Sequence, residues 1–133
     1  MASRITYDRQ HCEQRDWVGD WLTLGAVWGL PTAVMLLALL LDPKWRAVVW
    51  VAMLAWMGAA CVINARRCGR MHCRYTGPFF LGMAGLVAVY IAGIVPLGSQ
   101  PWLVLTIVIA GGNALIWWVS ERFYGTYSDS QAS

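Results

Sequence analysis

The sequence is short of charge. Of its 133 residues, 13% are Asp, Glu, Lys or Arg, where a soluble domain carries roughly 25%. So few charges do not cover a water-facing surface, and 59% of the residues are hydrophobic. The mean hydropathy of +0.52 agrees. Disorder is excluded as well, since it needs low hydrophobicity and high net charge. There is no Gly-rich phosphate loop. The basic residues lie beside apolar runs and form no stacking platform, so nucleic acid is not expected as a partner. Catalysis by a soluble domain is excluded on the same grounds, and enzyme activity is not the first expectation.

What is there follows from where the charges stop. Four windows free of charge, Trp21–Leu41, Ala47–Ala65, Phe79–Leu97 and Trp102–Ser120, are 19 to 21 residues long. A helix needs about 20 residues to cross a hydrocarbon core. Pro96-Leu97-Gly98-Ser99-Gln100-Pro101 separates the last two. The expected fold is therefore an all-α integral membrane protein, a four-transmembrane-helix bundle. Residues 1–20 form an N-terminal segment, 21–120 the transmembrane domain with a loop at 66–78, and 121–133 a tail. The polar segment before Trp21 argues against a cleaved signal peptide, which needs a short basic start.

Orientation comes from Lys and Arg beside the spans. Arg4, Arg9, Arg15, Arg66, Arg67, Arg70, Arg74 and Arg122 fall on one side, and Lys44 and Arg46 on the other. Eight against two places both termini and the 66–78 loop in the cytoplasm. Trp17, Trp21, Tyr75, Trp117, Trp118 and Tyr124 then mark the inner interface, and Trp45 and Trp102 the outer. The lipid bilayer is the first partner, with anionic headgroups at Arg66, Arg67, Arg70 and Arg74. Gly25-x-x-x-Gly29, Ala88-x-x-x-Ala92, Gly58-Ala59-Ala60 and Gly111-Gly112 offer small faces for helix contact, within a bundle, a homo-oligomer or a larger membrane complex. No Asp, Glu, Lys, Arg or His stands at mid-span, which counts against a proton-coupled antiporter or a channel with a charged ring.

Chemistry concentrates in Cys61-Val62-Ile63-Asn64-Ala65-Arg66-Arg67-Cys68-Gly69-Arg70-Met71-His72-Cys73-Arg74. Thiolate and imidazole suit soft or borderline cations such as Hg(II), Cu(I) or Zn(II). Cys68, His72 and Cys73 are the expected ligands, with Cys12 or His11 closing the set from the N-terminal segment. If the second span stays helical past the surface, Cys61, Cys68 and His72 form one stripe with Asn64 between the cysteines. A loop beginning at Gly69 instead brings Cys73 beside Cys68. Cys61 belongs to the first arrangement and is otherwise a small apolar filler. The surrounding arginines favour thiolate over thiol, and a reducing cytosol disfavours structural disulfides.

The four-span outline and Cys68-Gly69-Arg70-Met71-His72-Cys73 resemble the small mercuric-ion transport proteins of bacterial mercury-resistance operons. The resemblance implies a bacterial inner membrane location and cytoplasmic thiols that pass a soft ion onward. That family carries a cysteine pair in its first span, whereas Trp21–Leu41 has none. The leading expectation is a membrane protein binding or passing a soft metal ion at a cytoplasmic-face Cys/His site. The alternatives are a non-catalytic accessory or assembly subunit and a membrane thiol oxidoreductase; the latter generally uses Cys-x2-Cys, and here the spacing is Cys-x4-Cys.

Overall fold

The computed structural model describes residues 10, 11, 14, 16, 17 and 20–125. Four helices account for nearly all of it: α1 (Trp21–Leu40), α2 (Pro43–Cys68), α3 (Met71–Ile91) and α4 (Pro101–Tyr124). No strand occurs among the described residues. Of the four, α1, α2 and α4 are long and apolar enough to cross a membrane. The further helix, α3, begins Met71-His72-Cys73-Arg74-Tyr75-Thr76-Gly77-Pro78, so polar residues occupy two of its turns before the apolar stretch.

Helix boundaries follow from backbone chemistry. Pro43 and Pro101 open α2 and α4, where a missing N–H costs nothing. Before α1, the Asp20 carboxylate accepts from the Thr23 hydroxyl at 2.7 Å, and that bond holds Asp20 below the usual carboxylate range. Within α1, Gly25–Gly29 forms a π-helical turn, with the Leu30 N–H donating to the Gly25 carbonyl. Pro31 follows directly and offers no N–H to the preceding turn. The wider turn takes up that break.

The 66–78 loop expected from sequence is corrected to a reversal two residues long. Helix α2 runs on to Cys68, Gly69 adopts the left-handed conformation (φ 64°, ψ 28°), and α3 starts at Met71. Only glycine enters that region without a steric penalty. Pro78, the last residue of the expected loop, lies inside α3. Helix α3 ends at Ile91, short of the expected 97. There Gly93 (φ 77°) terminates it, with Gly93 N–H donating to Tyr90 and Ile94 N–H to Val89. This is a Schellman arrangement.

Consecutive helices pack on each other: α1 on α2, α2 on α3 most extensively, and α3 on α4. Trp50, Leu54, Phe80, Val87 and Leu105 are core residues. Around them the surface is apolar, with Leu22, Leu40, Ile107 and Leu115 all exposed. Closest approach of α2 and α3 is at Gly58 and Gly77. A Cβ on Gly77 would stand 2.7 Å from Val62 Cγ2 and 3.2 Å from the Gly58 carbonyl oxygen. Gly112 is likewise covered by the Phe79 ring. The other small faces point outward: nothing lies within 4 Å of a Cβ built on Gly25 or Gly29, and Ala88 and Ala92 are exposed.

One end of the structure is tied together by aromatics and a single cation. Arg46 donates from Nη2 to the carbonyls of Leu39 (2.7 Å) and Leu41 (2.8 Å), neutralising the end of α1. Its guanidinium also lies 4.9 Å over the Trp102 ring. Trp102 meets Trp50 edge-on at 5.2 Å and Tyr90 at 6.0 Å. Trp50 Nε1 donates to the Met35 carbonyl at 3.0 Å, closing α1 against α2. The opposite end, around Gly69, is polar.

Candidate functional site at the Gly69 end

The reversal at Gly69 makes α2 and α3 antiparallel, so residues at similar distances from it face each other. Asn64 on α2 thereby meets Cys73 on α3. Asn64 is fully buried and links three parts of the chain. Its Nδ2 donates to Asp16 Oδ1 at 2.8 Å and to Cys73 Sγ at 3.6 Å, while its Oδ1 accepts from the Trp17 N–H at 3.3 Å. Cys61 and Cys73 are both fully buried, and the two thiols couple electrostatically across the α2–α3 seam. Cys73 Sγ also lies 3.4 Å from His72 Nε2.

An ion network surrounds the thiols. Arg70 Nη1 donates to Asp16 Oδ2, and Arg70 Nη2 to Glu121 Oε1 at 3.1 Å. Glu121 Oε1 lies 3.0 Å from His72 Nδ1. Arg70 Nε, an N–H donor, lies 3.4 Å from the same Nδ1, so this nitrogen faces one acceptor and one donor. Nε2 faces the Cys73 sulfur. The His72 ring stacks on Trp117 at 4.6 Å with an interplanar angle of 10°. Four separated stretches of sequence thus fix one imidazole: Asp16, Arg70 and the α3 start, the Cys61–Asn64 turn, and the last turns of α4.

The expected ligands are only partly brought together. Cys73 and His72 are adjacent, as expected. Cys68, buried at the last turn of α2, is not Cys73's partner: the left-handed break carries α3 back along α2, so Cys73 lies against Cys61. The continuous stripe of Cys61, Cys68 and His72 is corrected by the same break. His11 is exposed, and Cys12 lies outside the described residues. Among the described residues no group of three or more His, Cys, Asp or Glu is disposed to hold a metal ion. A closed tetrahedral zinc site is therefore not assembled by Cys68, His72 and Cys73. Arg66, Arg67 and Arg74 are exposed, but Arg70 turns inward onto two carboxylates.

Sequence reasoning missed Asp16, Arg70, Trp117 and Glu121 as site residues. Glu121 directly follows the last expected span, and Asp16 lies five residues before the first, both on the side of the arginine cluster. Their sign, opposite to that of the cluster, was the available signal.

The fold defines the class: an all-helical membrane protein whose polar residues gather at one end. Comparison with protein families, curated proteins and solved structures finds no match for the chain.

Proposed function

We propose that the chain is a four-crossing membrane protein, N-in and C-in, that binds a soft cation at a thiol pair on its cytoplasmic face and passes it on. What supports this reading is the burial of two electrostatically coupled thiols, Cys61 and Cys73, with His72 Nε2 3.4 Å from Cys73 Sγ. A thiol pair suits a two-coordinate soft cation, Hg(II) or Cu(I), better than Zn(II), which takes four ligands in structural sites. Glu121 and Arg70 orient His72, as outer partners orient metal-binding imidazoles elsewhere. The cation is cargo here, and a binding site of so few ligands lets it leave. In this orientation α3 is the remaining crossing, its polar first turns at the headgroup level and Arg66, Arg67 and Arg74 toward anionic lipid.

The test is cation binding by purified protein. Wild-type protein is expected to take one equivalent of Hg(II) or Cu(I). Cys61→Ser with Cys73→Ser should abolish tight binding, and Cys68→Ser should leave it intact. Dependence on Cys68 with indifference to Cys61 would sink the proposal.

A second reading, an accessory subunit, is favoured by one feature: the outward faces of Gly25/Gly29 and Ala88/Ala92, bare of intrachain contacts. Small faces of this kind admit a partner helix closely. Stoichiometric co-purification of a partner, lost in Gly25→Leu with Gly29→Leu while cation binding persists, would select it.

A further inference from the structure

A cavity of about 330 Å³ lies among the four helices, bordering the ion network at His72. Every helix contributes to its wall: Trp28 from α1, Trp50 from α2, Phe80 and Thr76 from α3, Trp117 and Asn113 from α4. The volume is at the lower end of the range for small-molecule sites, and such sites combine apolar walls with a few polar groups. Trp28 stands in the π-helical turn of α1, a distortion frequent at functional positions.

The three threonines in the wall separate structural from unexplained polarity. Thr32 returns its hydroxyl to the Trp28 carbonyl at 2.6 Å, and Thr106 does the same to Trp102 at 2.7 Å. Both are satisfied within their own helices. Thr76 is not: its Oγ1 is buried and has no hydrogen-bond partner, with the residue 1% exposed. Asn113, across the cavity on α4, makes no side-chain hydrogen bond among the described residues. Unpaired polar groups away from water are costly; Thr76 is buried and unpaired, and the half-buried Asn113 amide faces the same apolar space. No Asp, Glu, Lys or Arg lines the cavity, and both nitrogens of His72 already face partners. An anionic or cationic head has no counter-charge there.

We propose that this cavity is a binding site for an uncharged, ring-bearing lipid with a carbonyl head, the chemistry of a membrane quinone. The flat ring packs among Trp28, Trp50, Phe80 and Trp117. The Thr76 hydroxyl and the Asn113 amide donate to its carbonyl oxygens. The site does not use the thiols, so it stands or falls separately from cation binding.

The experiment titrates the full chain in lipid nanodiscs with decylubiquinone and follows tryptophan fluorescence, three tryptophans being in the wall. Saturable quenching is expected for wild type and, equally, for Cys61→Ser with Cys73→Ser. Thr76→Val, nearly isosteric, should weaken binding roughly tenfold, about the worth of one hydrogen bond. It should also raise the thermal stability of the empty protein, because it removes a buried unpaired hydroxyl. A purely structural Thr76 would not move these two readouts in opposite directions. Ala110→Phe, filling the cavity from α4, should abolish saturation while the protein stays folded. Quenching that never saturates in wild type overturns the proposal. So does unchanged affinity in Thr76→Val, or displacement of the quinone by oleate, whose head is charged.

Discussion

Arg70 is the position at which a single substitution separates a structural ion network from a surface one. Its side chain is 13% exposed and bridges Asp16, whose side chain is 1% exposed, to Glu121 at 25%. Arg70→Met keeps the stem and deletes the fork. Asp16 retains the Asn64 amide at 2.8 Å, and Glu121 retains His72 at 3.0 Å. Neither contact supplies the removed positive charge. Breaking a buried pair from one side costs about 3–5 kcal/mol, because the partner is left charged and desolvated; an exposed pair costs about 0–1 kcal/mol. Burial assigns most of the loss to Asp16. Asp16→Asn should therefore recover a large part of it, giving an Arg70→Met/Asp16→Asn double variant far more stable than the sum of single losses implies. Arg70→Lys should recover less, since one ammonium does not span two carboxylates as a fork does. The assay is equilibrium unfolding in mixed micelles, read by helical circular dichroism. A loss under about 1 kcal/mol for Arg70→Met, or strict additivity in the double variant, would refute the reasoning.

Other outcomes follow from the same structure and are read by the same unfolding assay. Gly77→Ala should cost about 1–3 kcal/mol by overpacking. Adding Val62→Ala should restore part of this, because the clash with Val62 Cγ2 at 2.7 Å is relieved and the Gly58 carbonyl at 3.2 Å is not. Full rescue would mean that α2 and α3 are not in backbone contact. Gly69→Ala should cost about 1–2 kcal/mol through its left-handed conformation, with Gly69→Asn milder; equal losses would point to packing instead. Trp50→Phe keeps most of the ring but leaves the Met35 carbonyl unpaired, for a loss of about 1–3 kcal/mol. No loss would show that the indole bond at 3.0 Å is idle.

What composition and charge position made readable was the coarse fold. An apolar surface is a property of totals, and helices of membrane length are a property of gaps between charges, so three of the four expected spans recur nearly in place as α1, α2 and α4. Cys68 and Cys73 lie at the same end as the arginine cluster. The pairing within that end was not readable, for a geometric reason. Periodicity along one helix says which residues share a face; it does not say where the chain reverses. Gly69 was noted as a possible loop start, yet a loop leaves Cys73 near its sequence neighbour Cys68. A left-handed glycine followed almost at once by a new helix sends Cys73 back along α2, beside Asn64.

The same reversal explains why an arginine cluster concealed two different jobs. Arg66, Arg67 and Arg74 remain on exposed faces, while Arg70, in the two-residue gap, is the arginine whose direction is set by the turn instead of by a helix face. From there it reaches Asp16 before α1 and Glu121 near the end of α4. In a membrane protein the hydrophobic effect does not hold helices together, since lipid is as apolar as the side chains. Association then depends on close packing, as at Gly58 and Gly77, and on polar groups that find partners across helices. Arg70, Asn64 and His72 supply those partners at one end, and Arg46 with Trp102 at the other. Thr76 Oγ1 has no such partner among the described residues. By the same accounting, a hydroxyl left unpaired between helices and facing a cavity points to a ligand that completes it.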